Sequence, residues 1–236
     1  LHMASEPPGK SKIQWYLEYL EGQLSNRSVT CELGTKVDEE LLRERNPDAV
    51  VVATGARPRS IEIHGIEQSH VVQAWELLDG SAAVDGGTAV IIGGGDVGCD
   101  VANYLAAQGI AVTIIEQGER IAPDKELISR IDMLQEFAKN ERIETCVEEK
   151  VVSLTQSAVI TEDNAGSQST YDSDTVVLAV GHTPNNELAA DLKSGPADIY
   201  VVGDARESRN IYRATLEGTE AGLSIGAANP TYSPQF

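Results

Sequence analysis

The glycine spacing Gly93-x-Gly95-x-x-Gly98 constrains this chain more than any other feature. An apolar run, Thr88 to Ile92, leads directly into it, and Val97 to Gln108 leaves it with apolar residues at helical spacing. A second apolar run, Ile110 to Glu116, follows and ends in an acid. Strand, glycine turn, helix and strand in that order make a βαβ unit, which calls for a parallel sheet with helices packed on it. Each glycine has a physical reason. Gly93 permits the sharp turn from strand to helix, Gly95 puts no side chain between the backbone and a ligand, and Gly98 lets the helix approach the strand. With Gly94, Asp96 and Val97 between them, the turn presents bare amide N–H groups at a helix N-terminus, where the dipole favours a diphosphate. Glu116 stands about 20 residues beyond the first glycine, the interval at which an acid accepts hydrogen bonds from the hydroxyls of an adenosine ribose. The pattern predicts a dinucleotide site that prefers NAD(H) to NADP(H), since a carboxylate repels a 2′-phosphate. Arg120, close behind, leaves a dual preference open. A glycine turn in an α/β fold with no ligand is the alternative.

Around this unit the pattern predicts further elements. Ile13, Tyr16, Leu17, Leu20 and Leu24 share one face of a helix over Lys12 to Leu24. A short strand is expected from Val29 to Leu33, then a helix, Glu39 to Arg45, capped by Asp38. The continuous apolar run Ala49 to Ala53 reads as a strand covered on both faces. Ile61 to Gly87 reads as a linker with a helical patch at Ala74 to Leu78, and Lys125 to Ala138 as a helix. Beyond Ile143, the alternating segments Lys150 to Thr155, Ala158 to Thr161 and Ser169 to Tyr171 suggest antiparallel strands. Thr175 to Val180 and Ile199 to Val202 are buried strands, Tyr212 to Ile225 a closing helix, and Gly226 to Phe236 a polar, proline-bearing tail.

Composition narrows the partners. The chain has 236 residues, 41% hydrophobic and 23% charged, which is ordinary for a globular protein. With 18 Lys+Arg against 37 Asp+Glu, its net charge of −19 repels phosphate backbones and anionic lipid, so neither nucleic acid nor a membrane is an expected partner. No apolar stretch reaches the ~18 residues of a membrane span. Cys31, Cys99 and Cys146 are scattered, with no C-x-x-C signature, which suggests a reducing, cytoplasmic setting and argues against a disulfide reductase or a bound metal. No catalytic acid, base or nucleophile stands out. The histidines, including His182, are isolated.

Two more glycine turns follow buried strands: Ala53-Thr54-Gly55-Ala56-Arg57-Pro58, and Val202-Gly203-Asp204, where Asp204 is either a turn residue or an acceptor for sugar-like hydroxyls. Together with Leu178-Ala179-Val180-Gly181-His182-Thr183-Pro184-Asn185, they make the chain resemble the flavoproteins with two dinucleotide-binding domains, over nearly its whole length. Pro7-Pro8-Gly9-Lys10, Ala74 to Leu78, Pro184 to Leu188 and Arg209-Asn210-Ile211 make it most similar to the C-terminal region of the NADH:flavin oxidoreductases related to dienoyl-CoA reductase and trimethylamine dehydrogenase.

That resemblance implies a fold and a relay. The expected fold is α/β: a Rossmann-like, three-layer NAD(P)-binding domain with a small antiparallel β-meander (residues 65–181), and an incomplete FAD-domain sheet in two halves (1–64 and 182–236). In the relay, NADH passes hydride to FAD, and electrons continue through an iron–sulfur cluster to FMN on a TIM barrel, both expected only in a longer parent protein. Thr54 and Gly55 would line the FAD side of the crossover between domains, Gly181 would be among the cofactor-binding residues, Gly203 and Asp204 would contact FAD, and the helix starting near Ile211 would point its N-terminus at the flavin. Asp100 stands where relatives carry Glu. The family's first glycine fingerprint and the strand before it are not in this sequence, so the expectation is an N-terminally truncated fragment. Its first FAD βαβ unit and barrel would be partners in the parent, and by itself it would bind NAD(H) weakly without sustained turnover. Unpaired sheet edges would also favour a homodimer. Two rival readings are a non-catalytic ADP- or NAD-binding module and an electron-delivering subunit resembling the glutamate synthase small subunit.

Overall fold

A computed structural model describes residues 1–192 and 198–227. The chain opens with a single helical turn, α1 (His2–Ser5), and a longer helix, α2 (Ser11–Asn26). The helix α3 (Glu39–Arg45) follows, capped by Asp38, whose Oδ1 accepts from Leu41 N at 3.0 Å. The strands β1 (Ala49–Val52), β2 (Ala56–Pro58) and β3 (Val71–Gln73) lead to α4 (Ala74–Leu78). The glycine unit is β4 (Thr88–Ile92), α5 (Asp96–Ala107) and β5 (Ala111–Glu116), followed by α6 (Leu127–Lys139). Next come β6 (Ile143–Val147), β7 (Glu149–Leu154), β8 (Ala158–Asp163), β9 (Gln168–Asp172) and β10 (Thr175–Leu178). The last elements are β11 (His182–Pro184), α7 (Glu187–Asp191), β12 (Asp198–Val201), a 3-10 turn at Gly203–Ala205 and α8 (Ile211–Ser224). The expected polar tail lies outside the described residues from 228 onward.

The chain divides into two compact units, Leu1–Val29 with Ser60–Gly181, and Thr30–Arg59 with His182–Phe236. The chain passes between the units at 29/30, 59/60 and 181/182. Leu1–Val29, expected with the flanking half-domain, belongs instead to the unit that holds the glycine turn, and Lys10 there pairs with Asp100 of α5.

The first unit has three layers. Its central sheet runs β3-β10-β4-β5-β6, every neighbouring pair parallel. Successive strand residues face opposite sides. Ile91, Ile114 and Val177 pack with Cys99, Val101, Ala102 and Leu105 of α5, with Leu77 of α4 and with Phe137 of α6. Val90, Ile92, Ile115 and Val176 pack on the other side against Val151, Leu154 and Val159 of the antiparallel meander β7-β8-β9. The α/β class with a small meander is therefore what the chain adopts.

The second unit is smaller. β1 and β12 pair in parallel, Val52 opposite Val201, while β2 and β11 form an antiparallel pair. Val52, Ile199, Val201 and Ala189 form its core with Leu192 and Ala205.

Several expectations fail for identifiable reasons. No strand forms over Val29 to Leu33, where Leu33 is 93% exposed, because no neighbouring strand offers it a ladder. β1 is not buried on both faces: Val51 is exposed beside buried Val52. The 61–87 stretch is no plain linker. It contains β3, and His64 bridges to Ser153 of the meander. β6, which the sequence reading does not name, forms the parallel edge of the main sheet.

Candidate nucleotide-binding site

The glycine turn is held from several directions. Gly93 N donates to Ile115 O at 2.8 Å, which brings the start of the turn onto the neighbouring strand. The Gly94 carbonyl accepts from Ala122 N at 2.7 Å and from the Cys99 thiol at 3.7 Å. Gly93 has φ +107, a left-handed value open to glycine, and a Cβ there would strike the Ala179 carbonyl. A Cβ on Gly98 would strike the Gly93 carbonyl, and one on Gly94 would meet the side chains of Ile121 and Glu116.

Gly95 differs from all three. Its φ is −71°, ordinary for any residue, and a Cβ built on it meets nothing within 4 Å. It is the N-cap of α5, which has no side-chain cap, so the N–H groups of the first turn receive no side-chain acceptor from it. The protein's own packing gives Gly95 no reason to be glycine. Close approach of a ligand to the backbone does.

Glu116 ends β5 beside this opening. Its Oε2 accepts from Gly94 N and its Oε1 from Gly118 N, both at 2.7 Å. Each carboxylate oxygen has two lone-pair sites, so each keeps one for a further donor. The carboxylate is thus oriented but not saturated. Gly118 is fastened in turn by its carbonyl, which accepts from Glu148 N at 2.9 Å, with Glu148 itself at φ +59.

The charges around α5 are paired. Asp96 Oδ1 lies 2.9 Å from Lys125 Nζ, and Asp100 pairs with Lys10. Burial works against the charged form of Lys125, but the hydrogen bond and charge of Asp96 more than offset it and raise its pKa. Burial, with the Asp96 charge adding to it, pushes the Cys99 thiol up to about 12, so this cysteine is an inert packing residue. Arg120 is exposed and makes no ion pair among the described residues. Val97 is half-buried behind the turn.

In the second unit, two of the expected turns meet at one sheet edge. β1 and β12 run parallel, so Thr54-Gly55 and Gly203-Asp204 leave from the same carboxyl end, where α/β sheets bind ligands. Val202 N donates to Val52 O at 3.0 Å and keeps the two exits adjacent. Gly55 has φ +72. Its carbonyl accepts from Asn185 N at 2.9 Å, and the Thr54 hydroxyl donates to the Asn185 carbonyl. Asp204 accepts from Arg209 N at 3.2 Å, which supports its reading as a turn residue. Ile211 starts α8 behind the Asn210 cap. Gly181 closes the first unit, exposed and at φ +96. His182 is half-buried. Burial lowers its pKa, Arg59 adds to this and Asp204 opposes it.

Four supporting residues carry no sequence signal. Gly118, Ala122 and Lys125 surround the glycine turn without a recognisable spacing. In the second unit, Glu217 on α8 is 5% exposed and accepts from Gly203 N at 2.9 Å while paired with Arg209 and Arg206. A buried acid on an amphipathic helix cannot be told from its exposed neighbours by type alone.

A sequence profile settles the affiliation: that of the pyridine nucleotide-disulphide oxidoreductases matches residues 9–218. The chain belongs to that family. Membership carries a flavin and a nicotinamide nucleotide as the cofactors of such a domain. Among curated relatives, an NADH oxidase of Thermoanaerobacter brockii is 38% identical over 95% of this chain and 35% of its own length. A bilirubin reductase of Mediterraneibacter gnavus is 35% identical over 92% of this chain and 34% of its own. A solved 2-naphthoyl-CoA reductase superposes with TM-score 0.88 at 25% identity, covering 95% of this chain and 34% of that one. Histamine dehydrogenase from Rhizobium sp. 4-9, at 16% identity and TM-score 0.81 over 96% of this chain and 38% of its own, shares the fold. The chain thus spans about a third of the length of these relatives. No helix among the described residues is long and apolar enough to cross a membrane.

Proposed function

We propose that this chain is the pyridine-nucleotide-accepting region of a longer NADH-dependent flavin oxidoreductase. Residues 60–181 would seat NADH, and residues 30–59 with 182–227 would contribute to the seat of FAD. One observation carries the reading: Gly95, unstrained and with open space where a Cβ would stand, begins a helix without a side-chain cap beside a carboxylate that is oriented but not saturated. Amide N–H groups of residues 95–97 would receive the diphosphate, and Glu116 the adenosine ribose hydroxyls.

Hydride transfer between nicotinamide and flavin is chemistry that the two cofactors supply. The chain's residues bind and orient. Thr54 and Gly55, zipped to Asn185, and Gly203 with Asp204, fixed through Glu217, would shape the flavin-facing edge of the second unit. A final acceptor elsewhere in the parent, reached through an iron–sulfur cluster and FMN, completes the reading; the NADH oxidase relative supports NADH as the donor.

Equilibrium titration with NADH and NADPH tests the site. NADH is expected to bind more tightly. Glu116→Ala is expected to weaken NADH about 100-fold or more, the loss of two charge-assisted hydrogen bonds, and to change NADPH far less. Equal losses for both would remove the cofactor assignment.

A further inference from the structure

α5 carries an acid in its first turn, Asp96, and another one turn on, Asp100, on the same face. An acid there suits the helix dipole. It does not suit the ligand, since a dinucleotide brings two negative charges to that helix mouth. Two lysines from distant parts of the unit meet these acids, Lys10 at Asp100 and Lys125 at Asp96.

Lys125 is the more telling of the two. Its side chain is 20% exposed while that of Asp96 is 52% exposed, so most of a lysine has been withdrawn from water to reach a half-exposed acid. A loose surface pair does not repay such desolvation. The lysine is also anchored. Lys125 N donates to Ala122 O at 3.3 Å, and Ala122, buried and at φ +46, donates to the Gly94 carbonyl at 2.7 Å. The cation is therefore fastened to the glycine turn by backbone hydrogen bonds.

We propose that Lys125 is a further determinant of dinucleotide binding: its ammonium cancels the Asp96 charge at the mouth of α5 and so admits the diphosphate to the glycine turn. This rests on the nucleotide reading above. Lys125 acts through Asp96 and is a positioning residue in the electrostatic sense. Its counter-charge is Asp96, with Asp100 and the neutral Cys99 thiol also facing it from α5.

The test is a double-mutant cycle on the full chain, with NADH titrated at low and at physiological ionic strength and the thermal midpoint read without ligand. Lys125→Gln is expected to weaken NADH about five- to tenfold at low salt, where an uncompensated charge acts most strongly, and less at high salt. Asp96→Asn is expected to tighten NADH by a similar factor, an effect that a merely structural pair would not produce. Asp96→Asn combined with Lys125→Gln is expected to return the affinity close to that of the unsubstituted chain. Unchanged affinity in Lys125→Gln overturns the proposal. So does a loss in Lys125→Gln that Asp96→Asn does not recover, accompanied by a lower midpoint, because Lys125 would then only brace the turn. So does an Asp96→Asn variant that binds no more tightly. Absence of NADH binding by the unsubstituted chain at millimolar concentration overturns the nucleotide site itself, and this inference with it.

Discussion

Gly95 and Gly98 sit three residues apart and do opposite work. At Gly98 the added methyl of alanine would enter the space of the Gly93 carbonyl, so helix and strand must separate. At Gly95 the same methyl would project into open space. Gly98→Ala is therefore expected to cost about 1–3 kcal/mol of stability, read as a lower denaturant midpoint. Gly95→Ala is expected to leave the midpoint within about 0.5 kcal/mol while weakening NADH at least tenfold. A Gly95→Ala variant that binds NADH normally would show that no ligand approaches there. The close packing at Gly98 was legible in the glycine spacing because it follows from the absence of one atom. The anchoring of Glu116 by Gly118 was not, since a backbone N–H two residues on leaves no mark in residue type.

At the scale of elements, α8 shows how a helix can reach back to hold the loop that leads into it. Glu217 sits on its buried side and takes the Gly203 amide and the Arg209 guanidinium, with Arg206 at 3.6 Å. Removing the acid would take a partner from two partly exposed arginines and leave the Gly203 amide without its acceptor. Glu217→Ala is expected to destabilise this turn by about 2–3 kcal/mol, less than a fully buried pair because the arginines remain partly exposed. Hydrogen exchange at Gly203 N should accelerate about 30- to 100-fold; an unchanged rate would show that the turn holds itself. Long elements were readable. α3 began at its Asp38 cap, and α2, α4, α5, α6 and α8 followed their periodicity to within a few residues. Three-residue strands such as β2, β3 and β11 were not, because a strand that short carries no period and exists only through its partner.

For the whole molecule, the charge of −19 is the dominant collective term. Carboxylates repel one another across both units, and mobile ions screen that repulsion. Raising sodium chloride from about 10 mM to about 200 mM is expected to raise the thermal midpoint by a few degrees. A midpoint that falls with salt would mean that specific ion pairs such as Lys125–Asp96 outweigh the collective repulsion.

The glycine unit, the parallel class of the main sheet and the start of α5 at the glycine turn were written into residue order, because they depend on atoms within one local stretch: a missing Cβ, an N-terminal amide, an acid at a strand's end. Three-dimensional packing alone decided where Leu1–Val29 belongs, which strands pair with which, and that Lys125 and Glu217 support the turns. Those choices are contacts between residues far apart in the chain, made wherever apolar faces and unpaired backbone groups find their complements, and no short window of sequence contains both partners.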